Sequence, residues 1–229
     1  MKIKTSLLIA FVECVVQAQG TFQNLDFEAA AVPNLPPNQS GGFVPIGSGM
    51  PAWNGFIGAN QVTQVLHNDV TLGSSTIAIL GPDFPFGRIE ANYTGLLIAG
   101  SGGDVSIAQT GFLPANTQSI IFKAVPGNGN FNVSLGGSLI PLVALQVTAS
   151  YTLYGGDVAT SAGQTKELQF TALSNFSQGG GLNTLYLDSI SFSAQAVPEP
   201  SVLTFLFVGF SILGWRSLSK SSEIMGIVH

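Results

Sequence analysis

Short runs of alternating apolar and polar residues, each closed by a Gly- or Pro-containing turn, fill the chain between residues 22 and 192. Phe131, Val133 and Leu135 alternate with Asn132 and Ser134, and Leu168, Phe170 and Ala172 form a second such row. Val147, Ala149, Tyr151 and Leu153 read as a third. Ile120, Phe122 and Ala124 share a face, as do Val105 and Ile107, and residues 76–80 read as a strand buried on both sides. A period of two places alternate side chains on opposite faces of a strand. The separators are Gly81-Pro82, residues 100–103, residues 126–129, Gly136-Gly137, Gly155-Gly156 and residues 179–181. No window of this body carries a 3.6-residue period, so helices are not expected. Many short strands with Gly-rich turns predict an all-β fold, an antiparallel β-sandwich of the jelly-roll kind. Residues 33–50 read as a long irregular connection.

Composition narrows the function classes. Charged residues are 8% of the 229, and 45% are hydrophobic. That apolar content is too high for a disordered tail. Seven Lys and Arg against twelve Asp and Glu give a net charge of −5, which excludes a protein that tracks nucleic-acid phosphates. A single cysteine, Cys14, excludes a disulfide framework and a cysteine-based zinc site.

The two ends differ from the body. Lys2 and Lys4 precede an apolar run over residues 7–16, then Val16-Gln17-Ala18. A positive start, a short apolar stretch and small residues form a secretory signal peptide over residues 1–18. Glu13 before Cys14 is unlike the small residue that lipoprotein processing requires. At the other end, Pro198-Glu199-Pro200 is followed by a charge-free segment bounded by Val202 and Trp215, and then by Arg216 and Lys220. The prolines break the preceding strand, the apolar segment suits a bilayer, and the cations stay on the cytoplasmic side. Its 14 residues span about 21 Å as a helix, short of a hydrocarbon core of about 30 Å. The domain plan is therefore a signal peptide (1–18), a β-sandwich ectodomain (19–196), a hydrophobic helical segment (197–220) and a short tail (221–229).

In its order of Pro-Glu-Pro, apolar segment and basic residues, the C-terminal region resembles the PEP-CTERM sorting signal of exported bacterial proteins. It departs in having Arg216 and Lys220 in place of a tight Arg cluster. The resemblance implies recognition by an exosortase-type processing enzyme and an inner-membrane intermediate held by the C-terminal helix. Delivery to the cell envelope or extracellular matrix follows, with a role in biofilm material.

Two motifs of the body, residues 22–28 ending in Phe27-Glu28 and residues 185–192 containing Leu187-Asp188-Ser189-Ile190, look like the terminal strands of galactose-binding-like jelly rolls. Many carbohydrate-binding modules have that fold. The resemblance implies a structural calcium ion held in part by Glu28 and Asp188, and a sugar site for extracellular polysaccharide. By alternation Asp188 shares a face with Ile190 and Phe192. An inward carboxylate needs a partner: Arg88, Lys123, backbone amides or a cation, unless a bulge turns it outward or a loop satisfies it.

No catalytic constellation emerges. His67 is the lone histidine of the body and reads as a surface-turn residue; no Gly-x-Ser-x-Gly elbow accompanies it. Asp83, Glu90 and Asp104 lie near Gly or Pro, where solvated loops account for them. Among the aromatics Trp53, Phe56, Phe84, Phe86 and Tyr93, Trp53 is expected in the core and Tyr93 is the candidate for stacking on a sugar ring. The chain is expected to be a non-catalytic, exported bacterial surface or matrix protein, with a carbohydrate-binding module as the alternative.

Overall fold

The computed structural model describes residues 21–33, 41–85 and 87–197. The signal segment, Pro198-Glu199-Pro200, residues 202–215, Arg216, Lys220 and Phe86 lie outside them.

Two sheets pack face to face. The larger has eight strands, in the order β1 (Gly42–Pro45), β4 (Gln64–His67), β5 (Thr76–Leu80), β6 (Thr94–Ala99), β14 (Asn183–Ser193), β8 (Ser119–Pro126), β12 (Thr152–Asp157) and β11 (Leu142–Val147). The smaller has six, in the order β10 (Ser138–Leu139), β9 (Phe131–Leu135), β13 (Thr165–Ala172), β7 (Val105–Phe112), β2 (Asn54–Ile57) and β3 (Asn60–Val62). All neighbours are antiparallel except β4 and β5. The chain is an all-β sandwich, as the alternation predicts.

The alternating rows are the reason the sheets meet. Ile120, Phe122, Ala124, Leu185 and Leu187 from the large sheet pack against Val105, Ile107, Val133, Leu168 and Phe170 from the small one. Phe122 forms an edge-on pair with Phe170 at 5.1 Å and stacks on Tyr154 at 5.6 Å. Each such ring contributes roughly 1.5–3 kcal/mol on burial. The residues of β5 and β6 split between two clusters. Ile77, Ile79, Leu97 and Ala99 face the sandwich core. Ala78, Leu80, Leu96 and Ile98 face the other way, under Val70, Phe84, Leu182 and Tyr186. An apolar outer layer on that half of the sheet is why β5 is buried on both faces.

Turn chemistry holds where expected and fails in three places. Gly136 and Gly137, at φ +59° and +80°, link β9 to β10 in the two-residue hairpin that positive φ at both centres defines. Gly155-Gly156, by contrast, lies inside β12, where a Cβ on Gly156 would come within 2.3 Å of Ile140 Cγ2. The row through Val147 and Leu153 is a hairpin, with Val147 paired to Thr152. Thr148 closes it: its hydroxyl donates to the Tyr151 carbonyl (2.8 Å) and accepts the Tyr151 amide (3.0 Å). In the stretch expected to be an irregular connection, the described residues 41–50 contain β1 and a one-turn helix, α1 (Ile46–Gly49).

Residues 22–28 are not a strand. Asn24 and Phe27 adopt positive φ (49° and 60°), and the segment buckles so that Phe22, Leu25 and Phe27 all enter the core. The segment bridges the two sheets. The Gln23 amide donates to Gln109 Oε1 on β7 (2.6 Å), and the Leu25 carbonyl accepts the Ile190 amide on β14 (2.9 Å). Trp53 is buried against Phe27 and donates its indole N–H to the Asn24 carbonyl (3.0 Å).

Candidate functional site

The final strand decides where the site lies. Register slips between Asp188 and Ser191 where β14 meets β8, and Ser189 sits at φ +51°. This bulge reverses the side-chain parity. Leu185 and Leu187 precede it facing the core, and Ile190 and Phe192 follow it facing the core. Asp188 is therefore on the opposite face from Ile190 and Phe192, correcting the placement that simple alternation implies. It pairs in register with Lys123, also outward-facing.

Asp188 is nonetheless only 2% exposed, because residues 88–93 fold over it. Its Oδ2 accepts the Thr94 hydroxyl (2.8 Å) and the Glu90 amide (3.2 Å), and its Oδ1 accepts the Ser189 amide (2.7 Å). Burial pushes its carboxyl up to about 6, against the opposing pull of these donors, of which the Thr94 hydroxyl is the strongest. Of the expected partners, backbone amides are the ones used; Arg88 instead donates to the Ala91 carbonyl at 3.1 Å.

Glu28 holds the same covering segment from the other side. Its Oε1 accepts the amides of Asn92 (2.9 Å) and Tyr93 (2.7 Å), and its Oε2 accepts Asn92 Nδ2 (3.0 Å). Glu90 completes the fastening: it forms an ion pair with Lys123 and accepts the Ser189 hydroxyl at 2.5 Å. The hydrogen bond from Lys123, then that from Ser189, lowers the Glu90 pKa. Lys123 also lies 5.0 Å from the centre of the Tyr151 ring. Asp26, Glu28, Glu90, Lys123, Leu153, Asp188 and Ser191 border one cleft of about 440 Å³.

Glu28 and Asp188, which the resemblance pairs as calcium ligands, border the same cleft, but N–H and O–H donors surround both. One acceptor position on Glu28 Oε2 is left beside a saturated Asp188, far from the six to eight oxygens that calcium takes. Among the described residues no group of three or more His, Cys, Asp or Glu side chains is placed to hold a metal ion. As arranged, the two carboxylates do not fit a calcium ion.

The other candidates disperse. Tyr93 is half-buried and packs against the core. His67 is on β4 and only 5% exposed, a buried residue and not a surface-turn one. Burial lowers its pKa, Asp83 opposes that, and its Nδ1 has no hydrogen-bond partner. Asp104 accepts the Ser174 amide through Oδ1 (2.7 Å). It borders a second cleft of about 380 Å³ with Gly100, Ser101, Ser174, Ser177 and Phe176, whose ring is 41% exposed. Sequence reading passed over Phe176; the signal available was an aromatic inside the Ser/Gly-rich stretch 174–181. No protein-family model and no curated protein matches the chain.

Proposed function

We propose that this is a non-catalytic, exported bacterial cell-surface or extracellular-matrix protein whose sandwich is a jelly roll of the galactose-binding-like kind. The observation that carries the reading is how the carboxylates of the cleft between the bulged strand and residues 88–93 are used. Glu28, Glu90 and Asp188 all hold chain segments in place through hydrogen bonds, a structural use of each carboxylate. The body's last strand ends at Ser193, just ahead of the Pro198-Glu199-Pro200 sequence, which fits a folded ectodomain followed by a sorting segment. Exosortase-type processing, an inner-membrane intermediate and release to the envelope or matrix belong to the same proposal. Replacing Pro198-Glu199-Pro200 with three alanines is the test, read as intact mass in each cell fraction of the native host. The proposal expects unprocessed precursor in the inner membrane; normal processing of the variant would overturn it.

One observation favours a carbohydrate-binding module as the second reading. Phe176 presents an exposed ring beside Asp104, Ser101 and Ser177, the pairing of apolar face and hydroxyl-binding groups that a pyranose needs. Retention on immobilised extracellular polysaccharide that Phe176→Ala abolishes supports this reading. Retention unchanged in the variant, or no retention of the wild type, removes it.

A further inference from the structure

A sandwich ends at four sheet edges, and three of these are blunt. Edge strand β1 has four residues and ends in Pro45, β3 has three and β10 has two. The fourth, β11, has six: Leu142, Val143, Ala144, Leu145, Gln146 and Val147. Among the described residues only β12 pairs with it, and none of them bonds the backbone N–H and C=O groups of its other side. Such groups are satisfied by another extended strand, which sets the class of partner.

Natural edges are blunted by shortness, Lys, Pro, an inward charge or a β-bulge. β11 carries no charge and no Pro; of these devices it has the register shift between Ala144 and Gln146. No charged residue occurs anywhere between Lys123 and Asp157, a tract that includes β9, β10, β11 and most of β12. The register shift between Ala144 and Gln146 adds twist but brings no charge. Val147, at 75% exposure, leaves apolar surface on β11.

Charge also narrows the occupant to a neutral strand, which β11 itself is. All nine acidic residues of the described body, and its three cations, lie outside the neutral tract. A charged partner strand would find no counter-charge there. Antiparallel pairing across a two-fold axis places a strand opposite itself, so any charge in it would face its own copy. A neutral strand meets that requirement. We propose that β11 pairs antiparallel with β11 of a second copy of this chain, joining two eight-stranded sheets across a two-fold axis. This goes beyond the export reading and does not depend on it.

The test is sedimentation of the full chain in detergent over a concentration series, comparing the wild type with Gln146→Lys and Val147→Lys on β11 and with Gln61→Lys on the β3 edge. Hydrogen exchange of the β11 amides is followed in parallel. The expected result is a dimer whose dissociation constant rises at least about tenfold in each β11 variant and is unchanged in Gln61→Lys. Protection of the β11 amides should then grow with protein concentration. A monomer at every concentration, or a dimer indifferent to both β11 lysines, overturns the proposal. Protection that does not vary with concentration would mean that this chain's own residues beyond 197 cover the edge, and would overturn it equally.

Discussion

Asp188 and Glu90 are 98 positions apart, and the buried carboxylate of one accepts the backbone amide of the other at 3.2 Å. The Glu90 side chain then turns back to Lys123 and to Ser189, the residue after Asp188. The bulged strand and the covering segment are thereby closed into one polar knot on the outer face of the large sheet. Glu28 anchors the far end of that segment at Asn92 and Tyr93.

Asp188 should make the protein more stable in mild acid. Burial raises its carboxyl from 3.8 to about 6, so the folded chain holds this proton more tightly than the unfolded one. Its contribution is full below 3.8 and is lost as pH rises through about 6, a difference of roughly 3 kcal/mol. Glu90, lowered by Lys123 and Ser189, acts oppositely but only below its ordinary range. Urea unfolding at a series of pH values should show stability rising from pH ~7 to pH ~5. Asp188→Asn, which cannot ionise, should flatten that slope; an equal slope in the variant would contradict the assignment.

Removing the Glu28 carboxylate should free one segment and spare the sandwich. Glu28→Ala strands three donors on Asn92 and Tyr93, a loss of about 1–3 kcal/mol. Hydrogen exchange should accelerate at the Asn92 and Tyr93 amides and remain slow in β5 and β8. Uniform acceleration throughout would show that the segment is not a separable unit.

Treatment with EDTA should leave the melting temperature unchanged. Glu28 and Asp188 are already occupied by protein donors, so no folded-state ion is needed to satisfy them. A chelator-dependent drop restored by calcium would restore the metal site that the resemblance implies.

Two glycines separate packing from backbone effects. A Cβ on Gly111 would lie 2.6 Å from Phe22 Cγ, so Gly111→Ala should cost about 1–3 kcal/mol by displacing that ring. Gly73 has nothing within 4 Å, and Gly73→Ala should stay within about 0.5 kcal/mol of wild type. Comparable denaturation midpoints for the two variants would refute the packing of Phe22 on β7.

Truncating Phe122 tests the centre of the core. The ring contacts Phe170, Phe131 and Tyr154, and Phe122→Ala should destabilise by about 3–5 kcal/mol in chemical denaturation. A loss below about 1 kcal/mol would mean that the two sheets do not meet through this residue.

The sequence by itself determined the all-β class, the turn at Gly136-Gly137 and the strands that carry the clearest alternation or apolar runs, β5, β7, β8, β9, β13 and β14. Alternation and positive-φ turns are local, written within a few residues of one another. The pairing of Glu28 with Asp188 comes from the resemblance to galactose-binding-like jelly rolls. The tertiary structure decided what those carboxylates do, which way Asp188 points and why His67 is buried. Asp188 faces away from Ile190 because of one extra residue against β8, and a register slip is invisible without the partner strand. Residues 22–28 carry a strand-like pattern yet buckle, because Gln109 and Ile190 hold their backbone from two different sheets. Such bonds join positions far apart in the chain, 86 residues for Gln23 and Gln109, and only the packing of the two sheets brings them within reach.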